Sequence, residues 1–298
     1  IINKVNDTMQ IHINSVLNLK LVNTEEIRKH KLKVVVDGVN STGGIIVPLL
    51  LKQLNIKFET IHCEPTGHFA HNPEPLKKNL LDLSNKVIEF GADLGIAVDP
   101  DVDRLVFICE NGEIFGEENT LVACSDYVLS KTPGFTVSNL SSTRALRDVT
   151  EKHGQSYFAS AVGEVNVVNQ MKECNAVIGG EGNGGVIYPE SHYGRDAIVG
   201  IGLFLSLLVE KNMKVSELLS TYPKYYMVKE KINLSKEIDV DNILINLASK
   251  YSKDNINEID GLKIDFKESW VHLRKSNTEP IIRIYSEALT EDKANRLV

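Results

Sequence analysis

The sequence predicts an α/β protein in which two related, doubly wound α/β domains precede a smaller α+β domain. The first observation is that buried strands alternate with helices over residues 31–133, and again in similar length and order over residues 134–223. The second is a change of pattern over residues 224–298, where strands follow one another with few helices among them. Residues 1–30 are polar and mixed, and we expect a helix and lead-in there rather than a domain.

The first domain opens with a strand–turn–helix unit. Lys33–Asp37 predicts a buried strand, the glycine-containing stretch after it predicts a turn, and Ile45–Leu54 predicts a helix. The other predicted elements are a strand at 58–62, a proline-containing loop at 64–75, a helix at 76–90, strands at 92–98 and 105–109, a hairpin turn at Asn111-Gly112 leading to a short strand, and a helix at 118–130.

The second domain repeats this alternation, whereas the third does not. The second has predicted strands at 135–137, 157–161 and 176–179, and predicted helices at 142–153, 164–174 and 196–209. In the third we expect a helix at 241–251 and strands at 225–232, 262–267, 270–274 and 281–287. Residues 291–298 have the pattern of a new helix, so we expect both ends of the printed sequence to be cuts in a longer chain.

Composition narrows the function. The chain has 298 residues, of which 42% are hydrophobic and 24% charged, as in ordinary globular proteins of two or three domains. A net charge of −7 argues against nucleic acid or an anionic membrane as the main partner. The four cysteines have no metal-type spacing, which favours reduced thiols and a cytoplasmic setting. The longest apolar run, Ile198 to Val209, is too short to span a bilayer and predicts a buried helix.

The most informative stretch is the acidic loop between two predicted strands, Asp99-Pro-Asp-Val-Asp-Arg104. The carboxylates of Asp99, Asp101 and Asp103 repel one another unless a cation lies between them, and oxygen ligands at this density suit Mg²⁺, Mn²⁺ or Ca²⁺. Arg104 suits a phosphate that metal and guanidinium hold together. One alternative is a metal-free turn. Another is the calcium loop of helix-loop-helix sensors, which needs glycine where Arg104 stands and helices where strands are predicted.

A glycine-rich loop, Gly179 to Gly185, follows a predicted strand. Its glycines let the backbone approach a ligand closely, while Glu181 and Asn183 offer hydrogen-bond acceptors and donors suited to sugar hydroxyls. The spacing is not that of the dinucleotide-binding fingerprint. The alternative is a flexible turn without a ligand.

A third polar loop, Arg274-Lys-Ser-Asn-Thr-Glu-Pro280, joins two predicted strands of the last domain. Its hydroxyls, amide and backbone N–H groups, with Arg274 and the nearby Arg283, indicate a phosphate site. The alternative is a solvated hairpin turn.

Two further positions stay open on the residues alone. Arg195 stands just before the long apolar helix, where it either reaches a ligand or pairs with Asp196. Gly163 lies at a strand-to-helix turn and either contacts a ligand or only permits the bend. For the loop histidines His68, His71 and His192, an exposed or structurally bonded imidazole is the favoured interpretation.

Taken together and in this order, the loops resemble those of the α-D-phosphohexomutase family of phosphoglucomutases, phosphomannomutases and phosphoglucosamine mutases. The acidic loop resembles the family's D-x-D-x-D-R magnesium loop, Gly180 to Gly185 its G-E-x-[SN]-G sugar loop, and Arg274 to Pro280 its R-x-S-[GN]-T-E-P phosphate loop. The resemblance extends over essentially the whole chain from about Lys31 and covers the family's second, third and fourth domains. The family's first domain carries a phosphorylated serine in a T-x-S-H-N-P-type loop that this sequence does not contain.

The resemblance implies interconversion of hexose 1-phosphate and hexose 6-phosphate through the phosphoserine and a hexose bisphosphate intermediate. It implies Mg²⁺ on Asp99, Asp101 and Asp103, with Arg104 as a catalytic residue. Glu181, Asn183, Gly163 and Arg195 would then bind the sugar. The non-reacting phosphate would be held by Arg274, Ser276, Asn277, Thr278 and Arg283. As given, the chain would lack its phosphoryl donor and show little turnover.

The substrate stays open within the family. Asn183 and Val186 stand where many bacterial members have serine and histidine, which resembles a branch where phosphoglucosamine and phosphomannose activities are hard to separate. The partner expected is a phosphorylated hexose, and a homodimer is one option. The competing function is that of a non-catalytic phosphosugar-binding protein of the same fold.

Overall fold

A computed structural model describes residues 7–234, 239–276 and 279–298. Its first part comprises α1 (Thr8–Leu17), α2 (Thr24–His30), β1 (Lys33–Asp37), α3 (Gly43–Gln53), β2 (Lys57–Ile61), a 3₁₀ turn (Lys77–Asn79), α4 (Leu81–Phe90), β3 (Leu94–Val98) and β4 (Leu105–Cys109). The sheet has the order β2-β1-β3-β4, with β4 antiparallel to an otherwise parallel set.

Helices cover both faces of this first sheet. Val34 and Val36 point to the side of α3, and Val35 between them packs with Leu83 and Val87 of α4. Successive side chains of a strand point to opposite faces of the sheet. Because helices cover both faces here, these three valines of β1 are buried whichever face they point to. The predicted doubly wound arrangement is confirmed.

The second part repeats the first. It comprises α5 (Glu117–Lys131), β5 (Thr136–Asn139), α6 (Ala145–Lys152), β6 (Tyr157–Ser160), α7 (Glu164–Cys174), β7 (Ile178–Glu181), β8 (Gly185–Ile187) and α8 (Ala197–Lys211). The sheet order β6-β5-β7-β8 matches that of the first sheet, again with an antiparallel last strand.

The third part is α+β, as predicted. It comprises α9 (Val215–Ser220), β9 (Tyr226–Asn233), α10 (Val240–Lys250), β10 (Asn255–Asn257), β11 (Leu262–Asp265), β12 (Ser269–Lys275), β13 (Ile281–Ala288) and α11 (Glu291–Asn295). Its sheet is antiparallel in the order β10-β11-β12-β13-β9.

Some element predictions were wrong or incomplete. The turn at Asn111-Gly112 leads to an isolated bridge between Ile108 and Ile114 rather than to a regular strand. The predicted helix at 76–90 begins with the 3₁₀ turn and becomes α-helical only at Leu81. Residues 7–30 hold two helices where one helix and a lead-in were expected. Strands β8 and β10 and helix α9 were not predicted, since each has three to six residues.

Helix α8 lies at the centre of the main core. Every residue from Ala197 to Val209 is buried, which confirms the buried helix predicted from this run. Phe204 stacks on Phe107 of β4 with ring centroids 3.7 Å apart. Over the described ranges, no helix combines the length and apolarity that a bilayer crossing requires.

His12 joins α1 to the start of α8 and should make stability depend on pH. Its Nε2 lies 2.8 Å from Asp196 Oδ2, and this hydrogen bond raises the pKa of His12 despite the opposing effect of burial. A histidine whose pKa rises on folding stabilises fully below its ordinary pKa, and this is lost as the pH rises through the folded value. In urea denaturation, we expect His12→Gln to lower the free energy of unfolding more at about pH 5.5 than at about pH 8.5. His68→Gln, an exposed control, should lose little at either pH, and equal losses from His12→Gln at both would contradict the prediction.

Candidate functional site

The acidic loop is a tight connection between β3 and β4, at the carboxyl edge of the first sheet. Asp99 is 5% exposed, and its Oδ1 accepts hydrogen bonds from the amides of Asp103 and Arg104, both at 3.0 Å. Val102 has φ 64, a left-handed conformation that a β-branched residue adopts only under constraint. Because β3 and β4 flank this loop, the helix-loop-helix calcium sensor is wrong.

The three carboxylates fit a hard divalent cation. Asp99, Asp101 and Asp103 can each direct one oxygen so that all three lie within 4.8 Å of one another. Asp103 Oδ1 is buried without a hydrogen-bond partner. Burial raises the pKa of Asp99 to about 7 against the opposing hydrogen bond from the Arg104 amide, and the negative charges of Asp103 and Asp101 add to the rise. A bound cation would satisfy the orphan oxygen and offset this repulsion.

Arg104 extends beside the same carboxylates. Its Nε lies 3.6 Å from Asp99 Oδ2 and 3.8 Å from Asp103 Oδ1, too far for hydrogen bonds, and is buried without one. The guanidinium is thus close to the predicted cation and has donor capacity left for an anion.

Arg195 connects the acidic loop to the glycine-rich loop. Its guanidinium bonds to Asp103, lies 2.6 Å from Glu181 Oε2 and approaches Glu164 Oε2 at 3.5 Å. It does not pair with Asp196, and that alternative is wrong. Asp196 instead caps α8, its Oδ1 accepting from the amides of Ile198 and Val199.

Glu181 sits at the end of β7 and is 5% exposed. Its Oε1 accepts from Asn139 Nδ2 at 2.8 Å and from the Gly163 amide at 3.2 Å. With Arg195 on Oε2, three of about four acceptor positions are filled, which leaves one on Oε2 for a ligand hydroxyl. Gly163 has φ 116 and therefore both permits the bend and aims its amide at this carboxylate.

The glycine-rich loop presses directly on β4. The Leu105 amide donates to Gly184 O at 3.0 Å, and a Cβ on Gly184 would lie 2.4 Å from Leu105 O. Asn183 Oδ1 accepts from the Gly185 amide at 3.1 Å, while its Nδ2 makes no hydrogen bond within the described residues. The loop is therefore held in place, and Asn183 keeps a donor for a ligand.

The third loop brings two arginines together on adjacent strands. Arg274 and Arg283 are paired in the register of β12 and β13. Arg274 donates from Nε to Asp260 Oδ2 at 2.7 Å, and Arg283 approaches Glu279 at 3.4 Å. Ser276 Oγ accepts from the Glu279 amide at 3.2 Å. The predicted phosphate ligands Asn277 and Thr278 lie outside the described residues.

A cavity of about 200 Å³ joins the glycine-rich loop to the two arginines. Glu181, Asn183, Arg274 and Arg283 all line it. In the described part of the chain, neither the acidic loop nor Arg195 lines this cavity. Arg195 connects the acidic loop to the cavity, because it contacts Asp103 on one side and the lining residue Glu181 on the other. Sequence reasoning missed other lining residues, among them Glu118, Ser141, Lys229 and His272.

These missed residues connect the second and third sheets. Burial lowers the pKa of His272 to about 4, so its imidazole is neutral near pH 7. Its Nε2 donates to Asp260 O at 2.7 Å, and its Nδ1 therefore accepts from Ser141 Oγ at 2.9 Å. Lys229 Nζ lies 3.3 Å from Glu118, whose pKa burial raises to about 7. Ser141 and His272 are 131 residues apart in sequence, and Glu118 and Lys229 are 111 apart. No local sequence pattern could therefore indicate these pairs.

Three domain models of one protein family match the chain. They are "Phosphoglucomutase/phosphomannomutase, alpha/beta/alpha domain II" over residues 10–112, the corresponding domain III over residues 117–225, and the C-terminal domain over residues 210–298. The chain belongs to this family. The phosphoglucomutase/phosphomannomutase membership agrees with the resemblance found in the three loops.

Curated relatives support the assignment. A phosphoglucomutase/phosphomannomutase of Thermococcus kodakarensis is 38% identical over 97% of the chain and 63% of its own length. A phosphoglucosamine/phosphogalactosamine mutase of Sulfurisphaera tokodaii is 34% identical over 96% of the chain and 64% of its own length. The chain thus spans slightly less than two thirds of these relatives.

Solved structures share the fold. A phosphoglucomutase/phosphomannomutase family protein from Burkholderia thailandensis superposes with a TM-score of 0.80 at 25% identity, over 92% of this chain and 61% of that one. An N-acetylphosphoglucosamine mutase from Aspergillus fumigatus gives 0.66 at 15% identity, over 97% of this chain and 68% of that one, which shows the fold alone.

Proposed function

We propose that this chain holds a phosphorylated hexose for a mutase that interconverts hexose 1-phosphate and hexose 6-phosphate. One observation supports the proposal: Glu181 and Asn183, whose polar groups suit hydroxyls, line the same cavity as Arg274 and Arg283, whose guanidinium groups suit a phosphate. The names of the relatives indicate glucosamine, mannose and glucose phosphates as the substrates to test. The fungal enzyme of the same fold was crystallised with GlcNAc-6P and magnesium.

The roles of the residues follow from their positions. Arg274 and Arg283 would grip the non-reacting phosphate, because both guanidinium groups have N–H donors without partners among the described residues. Glu181 would accept from a hydroxyl through its remaining acceptor position, and Asn183 would donate from Nδ2. A substrate held by hydroxyls and one phosphate can bind in either of two orientations, so each end of the sugar can reach the reacting centre.

The reacting centre would be the acidic loop. Asp99, Asp101 and Asp103 would hold Mg²⁺, which would supply charge neutralisation for the transferring phosphoryl group. Arg104 would bind an oxygen of that group, and Arg195 would position Asp103 relative to Glu181. The four cysteines are unpaired, in keeping with the cytoplasmic location that we propose.

Arg283→Ala should weaken binding of a hexose phosphate by about 10- to 100-fold, since hydrogen bonds to a charged group contribute about 1.5–3 kcal/mol. Calorimetric titration with glucosamine 6-phosphate measures this directly. Lys293→Ala is the matched control, because Lys293 carries the same charge in the same part of the chain but pairs with Glu268 and does not line the cavity. Equal affinities in wild type and Arg283→Ala would contradict the phosphate role.

The chain by itself should bind hexose phosphates and turn them over at most very slowly, because its sequence contains no serine loop of the T-x-S-H-N-P type. A coupled mutase assay with glucose 1,6-bisphosphate present would check this. Robust turnover would refute the prediction. Turnover that stays equally slow in a longer chain that includes a serine loop would support the non-catalytic binding protein.

A further inference from the structure

A second cluster of metal-ligating side chains lies at the carboxyl edge of the first sheet. Asp37 is the last residue of β1, His62 follows β2, and His71 lies in the loop beyond it. Asp37 is 1% exposed, and its Oδ2 lies 3.0 Å from His62 Nδ1 and 3.1 Å from His71 Nε2. Its Oδ1 accepts from the Val39 amide at 3.0 Å, which fixes the carboxylate so that Oδ2 faces both imidazoles.

The hydrogen bonding of His71 identifies its tautomer. Its Nδ1 lies 2.8 Å from the carbonyl oxygen of Asn72, and because a carbonyl only accepts, Nδ1 carries a proton. In the neutral imidazole, Nε2 therefore has a lone pair, and this lone pair faces the Asp37 carboxylate at 3.1 Å. Two acceptors facing each other need a cation between them, which is either a proton or a metal ion.

His62 faces the same carboxylate oxygen as His71. Its Nδ1 faces Asp37 and its Nε2 lies 3.9 Å from Asp82 Oδ2. Imidazoles that bind metals usually direct their second nitrogen to a carbonyl or carboxylate. His71 does so through Nδ1, whereas the 3.9 Å between His62 Nε2 and Asp82 is too long for a hydrogen bond. His62 also adopts φ 48, a left-handed conformation that places its imidazole next to Asp37.

We propose that Asp37, His62 and His71 bind one divalent transition-metal ion of the zinc class. Two imidazoles and one carboxylate favour zinc over magnesium, whereas the acidic loop offers oxygen alone. Ligands about 2.0–2.1 Å from a tetrahedral ion are about 3.3 Å apart, close to the separations of 3.0 and 3.1 Å between Asp37 Oδ2 and the two imidazole nitrogens. The imidazoles retain 24% and 16% exposure, so an ion can reach them from solvent.

The cluster of His12, His192 and Asp196 has no imidazole whose second nitrogen bonds to a carbonyl, as that of His71 does, within the described residues. His12 and His192 both contact Asp196 Oδ2, at 2.8 and 2.9 Å. Within the described ranges, the second nitrogen of neither ring makes a hydrogen bond to a carbonyl or carboxylate, so protonation alone accounts for that cluster. It therefore provides a control of the same composition.

The bound ion would fasten the loop over residues 62–75 to the sheet edge. That edge also supports the acidic loop, since Ser41 Oγ donates to Pro100 O at 2.9 Å. The zinc-class site would thus stabilise the first domain without touching the hexose cavity, whose lining contains none of its three ligands.

The test is calorimetric titration of the full chain, freed of metal by a chelator, with Zn²⁺ in an excess of Mg²⁺. We expect one zinc ion per chain in wild type and in His192→Gln. We expect His71→Gln and His62→Gln each to weaken zinc binding by about tenfold or more. Absence of zinc binding in wild type, or undiminished binding in both of these variants, would overturn the proposal.

X-ray absorption at the zinc edge of the His192→Gln protein, which keeps all three proposed ligands and removes the other two-imidazole cluster, provides a measurement that does not depend on the ligand variants folding. The expected first shell contains two imidazole nitrogens and a carboxylate oxygen. A shell of oxygen alone would place zinc in the acidic loop, a shell with a single imidazole would place it at His12, and either result would overturn the proposal. If His71→Gln misfolds, this measurement decides the question.

Discussion

Replacing Arg195 with alanine is expected to lower the free energy of unfolding by about 3 kcal/mol or more, because it would leave largely buried carboxylates without their cation. Asp103, Glu181 and Glu164 all face this guanidinium, and its side chain is only 14% exposed. Without it, carboxylates from two loops would face one another with no cation between them. Urea denaturation at neutral pH in the absence of divalent cations measures the loss.

Arg296→Ala is the matched control for this experiment. Arg296 pairs with Asp292, but the arginine is 77% exposed, and we expect a loss of less than about 0.5 kcal/mol. Similar losses in the two variants would contradict the role of Arg195 as the link between the loops. Arg195→Lys should recover only part of the stability, because an ammonium group cannot bond to Asp103 and Glu181 with separate planar N–H groups.

Gly184→Ala is expected to lower the free energy of unfolding by about 3 kcal/mol and to abolish measurable hexose phosphate binding. A Cβ at this position would lie 2.4 Å from Leu105 O, and the backbone has φ +91, which disfavours any L side chain. The loop would have to move away from β4, carrying Asn183 with it. Thermal denaturation and calorimetric titration with glucosamine 6-phosphate measure the two effects.

Gly154→Ala separates the steric effect from the backbone effect. Gly154 also has a positive φ, +70, but an added Cβ would meet nothing within 4 Å. We expect a loss of about 1 kcal/mol and unchanged binding. If Gly184→Ala behaved in the same way, close packing of the loop on β4 would not be what positions Asn183.

Short sequence patterns were enough to predict the features of the fold that depend on neighbouring residues. The two repeated sheets followed from strands that alternate with helices, and the three polar loops followed from unusual residues grouped at strand ends. The elements that were missed are short, and β8 begins with a glycine of the loop itself. A three-residue strand has too few side chains to show a two-residue period.

Convergence of distant residues could not be predicted in this way. Arg195 was singled out, but its three carboxylate partners lie between 14 and 92 positions away. His71 and Asp37 are separated by 34 positions, and from the sequence alone His71 was interpreted as an exposed or structurally bonded loop histidine. Only the folded sheet edge brings such residues together, because the carboxyl ends of parallel strands meet there.

The proposed function requires that a phosphorylated hexose occupies the cavity between the second and third sheets. A crystal structure of the chain with glucosamine 6-phosphate is the most direct test. We predict the phosphate between Arg274 and Arg283, with ring hydroxyls in hydrogen-bond contact with Glu181 and Asn183. A ligand bound elsewhere, or a cavity that stays empty at saturating ligand, would contradict the account.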